Sequence, residues 1–259
     1  MKQSKLLIAA LLATSSLPVV AVEAPAASPV TYNIGFVSDY IVRGLTQTSH
    51  NPAIQGGADY VHGSGFYLGA WASNVRWIKD SGAVSSGDGI VELDTYLGFK
   101  NYVVADVSYD LGLTRYNYLG NYEPALGFNR ADTLEAYVGV AHKWLSIKYS
   151  YSLLDGFLTT PGTKGTNYLD LTATYPFGDS GMSLIAHYGK QTFVGRTTAT
   201  NTAGTFNLSY EDYKLALTQD FSGYVMGLNF TSTNASDAWT FNGQQWGKSN
   251  VMLSLTHSF

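Results

Sequence analysis

Apolar and polar residues alternate with a period of two through most of this chain. Between Leu145 and Leu153, apolar or aromatic side chains occupy every odd position, with serines and Lys148 between them. The same alternation runs through 91–99 and 182–189. Successive side chains of a β-strand point to opposite faces, so the pattern predicts strands with one apolar and one polar face. No segment shows a sustained helical period, and we expect an all-β fold.

Twelve segments carry this alternation, and their lengths suit strands that cross a bilayer, which need about 9–11 residues. We predict strands near 30–45, 53–62, 65–76, 89–100, 102–115, 131–142, 144–154, 166–177, 181–194, 206–220, 223–234 and 248–259.

The connections between the predicted strands alternate between short and long. Five are tight turns, at 62–65, 100–102, 142–144, 177–181 and 221–223. Six are longer and rich in Gly, Asn, Thr, Asp and Ser, at 46–52, 77–88, 116–130, 155–165, 195–205 and 235–247. Transmembrane barrels have short turns on one rim and long loops on the other, whereas a soluble sandwich has no reason to sort its loops. The pattern predicts a closed transmembrane antiparallel β-barrel with both termini at the short-turn rim.

The first 24 residues have the organisation of a secretory signal peptide. Lys2 and Lys5 form a basic start, an apolar run follows at 6–12, and Ala21 and Ala24 are candidate cleavage positions. The run is too short to anchor a chain in a membrane, and no later stretch approaches the roughly 18 consecutive apolar residues of a transmembrane helix. We expect a signal peptide at 1–24 and a single barrel domain at 25–259.

Composition excludes several classes of protein. The chain has no cysteine, so it has no disulfide, thiolate metal site or cysteine nucleophile. Acidic residues outnumber basic ones by 19 to 15, which argues against nucleic-acid binding. Hydrophobic residues make up 45% of the chain, which does not fit disorder.

Aromatic residues stand at or beside every predicted short turn and both ends of the barrel. Amphipathic rings favour the headgroup level of a bilayer, so this placement predicts an aromatic girdle. The chain stops at Phe259, and a closing strand with a terminal Phe resembles the signal recognised by the outer-membrane barrel assembly machinery. The girdle residues are Tyr32, Phe66, Tyr102, Trp144, Phe177, Phe221, Tyr224 and Phe259.

The N-terminal third resembles a known family. The sequence SDYIVRGLTQT at 38–48 leads into NPAIQGGADY at 51–60 and SGFYLGAWASNV at 64–75, and the acidic and aromatic positions near 92–98 fit the same pattern. These residues are similar to the N-terminal signature of the TorF family of porin-like outer-membrane proteins of proteobacteria. The close match covers roughly residues 32–100. The resemblance implies a porin-like barrel and supplies no catalytic residues.

If the apolar residues face lipid, their neighbours face a polar lumen. Ionisable groups facing lipid at mid-membrane cost several kcal/mol, so we expect them inside. The acidic excess favours cations or neutral solutes over anions. In the alternative, the charges pair and close the lumen, with Arg43 among Asp39, Asp59, Glu92 and Asp94. The expected pore-lining residues are Asp39, Arg43, Asp59, Glu92, Asp94, Asp106, Asp110, Glu135, Lys148, Asp170, His187 and Lys214.

The most direct interpretation is an outer-membrane porin for passive diffusion of small hydrophilic solutes. Outer-membrane lipid, lipopolysaccharide and the assembly machinery are its expected partners, and no cofactor or metal is implied. One alternative is a lipid hydrolase using His187 and a serine such as Ser183, but the chain has no GxSxG motif. Another is a surface receptor or adhesin built on the long loops, for which Tyr116, Tyr118, Tyr122 and Phe128 are candidates.

Replacing Glu92 by Gln and Asp94 by Asn is expected to lower the preference for cations, because it removes two of the negative charges assigned to the lumen. Reversal potentials across planar bilayers under a KCl gradient measure this preference. Unchanged selectivity would remove the two residues from the pore.

Overall fold

The computed structural model describes residues 29–82, 84–125, 127–201 and 204–259. The predicted signal peptide at 1–24 lies outside the described residues.

Twelve strands form the barrel, as the alternation predicts. They are β1 (Val30–Val37), β2 (Ala53–Val61), β3 (Phe66–Asn74), β4 (Val84–Val104), β5 (Val107–Pro124), β6 (Thr133–His142), β7 (Leu145–Ser152), β8 (Asn167–Pro176), β9 (Met182–Thr192), β10 (Tyr210–Phe221), β11 (Tyr224–Thr233) and β12 (Asn250–Ser258).

Each strand pairs antiparallel with the next, and the last strand pairs with the first, so the barrel is closed. In the β1–β12 pair, Ile34 lies opposite His257. The backbone N–H groups of Tyr32 and Phe259 each donate to the other residue's carbonyl, with N···O distances of 2.8 and 2.9 Å. The expected fold class is confirmed, and no edge strand of the barrel is left unpaired.

The strand boundaries differ from the sequence prediction at three places in the chain. The strand expected over 30–45 ends at Val37, and the following residues turn away from the wall. The turn expected at 100–102 lies instead at 105–106, because Lys100 and Tyr102 continue the ladder opposite Asp110 and Ser108. The loops expected at 77–88 and 116–130 are partly strand, since the β4–β5 pairing continues outward to Val84 and Pro124.

Apolar side chains lie on the outside of the barrel and polar ones on the inside. Ile54 and Leu253 are 67% and 60% exposed, whereas Glu135, Ser152 and Asn229 are at most 1% exposed. This is the reverse of a soluble protein, in which charged residues are rarely fully buried. Two stacked sheets with a shared apolar interior are therefore excluded.

The short-turn rim carries the expected aromatic girdle. All eight predicted rings are exposed there, from 37% for Phe66 to 67% for Phe259. At the closing pair, Tyr32 stacks on Phe259 with 6.0 Å between ring centroids, and Tyr224 stacks on His257 at 4.1 Å.

Short elements gather at the long-loop rim. They include one helical turn, α1 (Trp77–Asp80), and two 3-10 turns, Phe157–Thr159 and Asp237–Trp239. Two small hairpins accompany them, pairing Thr198–Asn201 with Gly204–Asn207 and Thr240–Phe241 with Gln244–Gln245. A third hairpin, which pairs Ile41–Val42 with Leu45–Thr46, lies inside the barrel.

Inner-wall tyrosines lie over glycines of neighbouring strands. Tyr67 covers Gly98 and Tyr137 covers Gly112, so a methyl group at either glycine would meet a phenol ring. At Gly112 a Cβ would also lie 2.6 Å from the Leu97 carbonyl oxygen. The missing side chains therefore make room for the rings, which fill part of the lumen.

Gly112→Ala is expected to lower the free energy of unfolding by about 1–3 kcal/mol, because the added methyl overpacks against a ring and a backbone carbonyl. Gly139→Ala is the matched control on the next strand, since its Cβ would meet nothing closer than 3.6 Å. Urea unfolding in detergent micelles, followed by tryptophan fluorescence, compares the two. Equal stability of both variants would show that Tyr137 does not need this space.

Candidate functional site

The inner wall gathers almost all of the predicted pore-lining residues. Those on the barrel strands alternate with the exposed apolar residues and therefore face inward. Asp39 and Arg43 enter the lumen from the segment after β1. The residues so placed are Asp39, Arg43, Asp59, Glu92, Asp94, Asp110, Glu135, Lys148, Asp170, His187 and Lys214.

Asp106 is the exception, and its assignment to the inner wall is wrong. It lies in the turn at 105–106 with a positive φ of 66° and an exposed side chain. Asp tolerates this left-handed backbone better than most residues. The prediction placed Asp106 within a strand because it put the turn four residues too early.

Residues 38–48 fold into the lumen as an inserted hairpin. Its two short strands are Ile41–Val42 and Leu45–Thr46, and its tip is formed by Arg43 and Gly44, both with positive φ. Asp39 holds the base, since its carboxylate accepts from the hydroxyl of Thr48 at 3.2 Å and contacts His50 Nδ1 at 2.8 Å. The hairpin is thus fixed at the end from which it enters.

Arg43 crosses the lumen to the opposite wall. Its guanidinium donates to both carboxylate oxygens of Glu135 on β6, at 2.9 and 2.6 Å, and to Oε1 of Gln191 on β9 at 3.1 Å. The guanidinium also lies 4.5 Å from the ring centroid of Tyr168. A bidentate, buried pair of this kind is geometrically well defined. In the alternative drawn from the sequence, Arg43 pairs within a cluster of Asp39, Asp59, Glu92 and Asp94. The ion pair in the structure is with Glu135 instead, because the hairpin carries the guanidinium to β6 and β9.

Other contacts tie the inserted hairpin to further strands. The Tyr40 hydroxyl donates to Glu92 Oε1 on β4 at 3.0 Å, and its ring lies 5.5 Å from that of Trp71 on β3. At the tip, a Cβ on Gly44 would come within 2.5 Å of Asp212 Cβ on β10. Since these contacts lie around the circumference, the inserted hairpin narrows the lumen.

Aromatic side chains from the long-loop rim and from the inner wall pack against the inserted hairpin. Tyr40 and Leu45 of the hairpin belong to the same buried apolar cluster as these rings. Tyr116 and Tyr118, which the sequence suggested as loop residues, instead line the inside of β5, and Phe128 is exposed. The other rings of the cluster are Trp71, Trp77, Tyr96, Phe157, Phe193, Tyr210, Trp239 and Trp246.

Asp155 orders the loop that brings Phe157 over the lumen. Its carboxylate accepts backbone N–H groups from Gly162 at 3.1 Å, Thr163 at 2.7 Å and Lys164 at 3.2 Å. These donors, led by Gly162, hold the pKa of Asp155 below its ordinary value. The carboxylate form therefore stabilises the loop at neutral pH, and this contribution is lost as the pH falls through the lowered pKa.

His187 occupies a second polar cluster on the inner wall. Its Nε2 lies 3.1 Å from Asp212 Oδ1 and 3.0 Å from the Tyr168 hydroxyl, and its Nδ1 lies 3.4 Å from Asp170 Oδ1. Ser183, which the hydrolase alternative would use, is four residues away on the same strand, about 13 Å along it. The geometry offers no nucleophile to His187 from that position.

The sequence prediction missed several inner-wall residues. Asp212 precedes Lys214 by two positions and Gln191 follows His187 by four, so the period of two already placed them on the same faces. Lys100 shares the face of Asp94 and was overlooked because the turn was predicted at that residue. The sequence around Tyr168 predicts only a strand. Its contact with Arg43 could not be predicted, because Arg43 belongs to a distant segment of the chain.

Within the described residues, no three side chains of the His, Cys, Asp and Glu types form a group that could hold a metal ion. No helix of the described part of the chain is long and apolar enough to cross a membrane.

A closed twelve-stranded barrel with an apolar outside and a charged inside is the architecture of outer-membrane channel proteins. The chain matches the model of the family described as bacterial protein of unknown function (Gcw_chp) over residues 22–259, and it belongs to this family. This match does not identify the TorF family. No curated protein sequence matches the chain significantly.

The fold is similar to that of solved outer-membrane barrels. The NanC porin aligns with a TM-score of 0.53 at 11% identity, covering 89% of this chain and 98% of NanC. The KdgM porin aligns with a TM-score of 0.49 at 8% identity, covering 89% of this chain and 98% of KdgM. An outer-membrane channel from Pseudomonas putida F1 gives 0.49 at 10% identity, covering 90% and 96%. At such low identity, the similarity to NanC concerns the fold alone.

Arg43→Gln is expected to lower the free energy of unfolding by about 3–5 kcal/mol, because it leaves the carboxylate of Glu135 buried without its cation. The double variant Arg43→Gln/Glu135→Gln should lose much less, since no uncompensated charge remains. Denaturant titrations in detergent micelles measure both.

Lys190→Gln provides the control for this pair. Lys190 and Glu211 form an exposed ion pair at 3.6 Å, which should contribute less than about 1 kcal/mol. If Arg43→Gln cost no more than Lys190→Gln, the buried pair would not hold the inserted hairpin in place.

Proposed function

We propose that the protein is an outer-membrane channel through which small hydrophilic solutes diffuse passively. The observation that carries this proposal is the distribution of side chains on a closed barrel. The outer face is apolar and exposed, and the inner wall is lined with buried charged and polar groups. A closed barrel satisfies its backbone hydrogen bonds internally, which allows the apolar face to contact lipid.

A location in the Gram-negative outer membrane follows from the same features. The aromatic girdle at the short-turn rim suits the periplasmic interface, with outer-membrane lipid and lipopolysaccharide around the barrel. Phe259 would serve the assembly machinery, because it ends the strand that closes the barrel. The resemblance of residues 32–100 to the TorF family supports this location, and we retain it as part of the proposal.

The charges of the inner wall favour cations or neutral solutes. Inward carboxylates outnumber the inward lysines and Arg43, even with His187 counted among the cations. Such an excess attracts cations into a narrow, low-dielectric passage and repels anions. The inward acidic residues are Asp39, Asp59, Glu92, Asp94, Asp110, Glu135, Asp170 and Asp212, and the basic ones are Arg43, Lys100, Lys148 and Lys214.

The inserted hairpin sets the width of the passage. Solutes must pass between the hairpin and the wall, where Arg43 spans the lumen to Glu135. The Arg43–Glu135 ion pair thus obstructs the passage, and breaking this pair would widen it.

A surface receptor is the second candidate function. The aromatic cluster above the inserted hairpin packs the long-loop end of the barrel, as expected for a protein that binds at its mouth and conducts little. Conductance separates the two functions, since a receptor of this kind would insert into bilayers without passing ions.

Arg43→Gln/Glu135→Gln is expected to raise the single-channel conductance about two- to threefold, because the lumen loses its crossing ion pair. Purified protein in planar bilayers gives the measurement, with solute-dependent liposome swelling as a second readout. Asp106→Asn is the control, because it removes an exposed carboxylate at the rim and should leave the conductance unchanged. Absence of conductance in both wild type and double variant would reject the channel and favour the receptor.

A further inference from the structure

Two neighbouring carboxylates of β4 have oxygen atoms without any partner in the protein. Oε2 of Glu92 and Oδ1 of Asp94 are both buried and accept no hydrogen bond. Glu92 is only 2% exposed, and its other oxygen accepts from Tyr40. Burying a carboxylate oxygen without a partner is costly, so an arrangement of this kind calls for an explanation.

The ion pairs of the described residues include neither of these two carboxylates. Among the described residues, no ion pair within 4 Å includes either of them, whereas Arg43, which lines the same cavity as Glu92, is taken by Glu135. Two carboxylates on one strand, two residues apart, repel each other when both are ionised, and a positive charge bound beside them would offset this repulsion.

Aromatic rings surround the pair. Glu92 lies opposite Tyr118 in the β4–β5 ladder, and Asp94 lies between Tyr116 and Trp71 on its two sides. Carboxylates beside aromatic faces are the groups that bind organic ammonium ions, through charge and cation–π attraction together.

Arg43 shows how this lumen binds a nitrogen cation. Its guanidinium takes two oxygens from Glu135 and packs on Tyr168, which is the same combination of carboxylate and ring. Glu92, Tyr116 and Tyr118 offer the same combination of a carboxylate and aromatic rings, and no cationic side chain of the described residues forms an ion pair with Glu92. Glu92, Tyr116 and Tyr118 line a cavity of about 40 Å³, which admits only a few heavy atoms. Arg43 and Glu135 lie on the same cavity wall, and Asp94 lies behind it as the next inward residue of β4.

We propose that Glu92, with the rings of Tyr116 and Tyr118 and the charge of the neighbouring Asp94, binds a small organic ammonium ion inside the barrel. The ammonium group donates to Glu92 Oε2, and its alkyl part contacts the rings. Solutes can reach this site only if the proposed channel function holds. The site identifies small alkylammonium ions as the class of solute that this channel favours.

Binding is tested first without transport, on the purified barrel in detergent. Ethylammonium chloride is the probe, with sodium chloride at equal concentration as the reference for ionic strength. At about tenfold above its Kd, ethylammonium should raise the apparent Tm by roughly 3 °C over sodium, because it binds only the folded barrel.

Glu92→Gln is expected to abolish this difference, and Asp94→Asn to reduce it. Both variants keep the shape of the side chain, and they remove a buried charge without a partner, so neither should lower the Tm in sodium chloride. Asp106→Asn, which removes an exposed carboxylate at the rim, should keep the full shift. An equal shift in wild type and Glu92→Gln, or none in wild type, would overturn the site.

Transport is tested separately in planar bilayers. Wild type should pass ethylammonium at least as well as sodium, judged from the reversal potential, and Glu92→Gln should lower this permeability ratio about threefold. If bilayers show no conductance while the Tm shift persists, the channel proposal fails and the binding site stands. If sodium is conducted but the Tm does not respond to ethylammonium, the binding site fails and the channel stands.

Discussion

The hydrogen-bond ladder between β1 and β12 is the interaction on which the rest of the structure depends. Because it closes the sheet, every strand has two neighbours, and the backbone needs no water on the outer face. The outer face can then be largely apolar, and most of the charged residues of the strands lie on the inner wall. The backbone of Phe259 takes part in this closure, since it forms the last pair of hydrogen bonds with Tyr32.

The lumen formed in this way is filled by the chain itself. The inserted hairpin enters beside β1 and reaches β6 and β9 through Arg43, while the tyrosines of the wall occupy the space left by glycines such as Gly98 and Gly112. The interior is thus polar but narrow, and its charges are unevenly matched. Arg43 pairs with Glu135, whereas Glu92 and Asp94 form no ion pair among the described residues, and the proposed preference for positive solutes rests on this imbalance.

Much of this architecture could be predicted because the period of two is a local property. The strand count, the alternation of loop lengths and the girdle followed from it, and so did the inward face of Glu135 and Lys148. The prediction of strand ends failed where apolar residues continued past the predicted end of a strand. The turn after β4 was expected at Lys100 but lies at 105–106, which put Asp106 on the wall and hid Lys100. It failed again at 38–45, whose apolar residues fit a strand equally well.

The sequence by itself determined which side chains face outward and which face inward, because that choice depends only on neighbours two positions apart. Only the tertiary structure decided which inward groups meet. Arg43 and Glu135 are 92 residues apart, and Arg43 and Gln191 are 148 apart. Such contacts across the lumen depend on closure, on the register of each strand pair and on the path of the inserted hairpin, and none of these is encoded in a short stretch of chain.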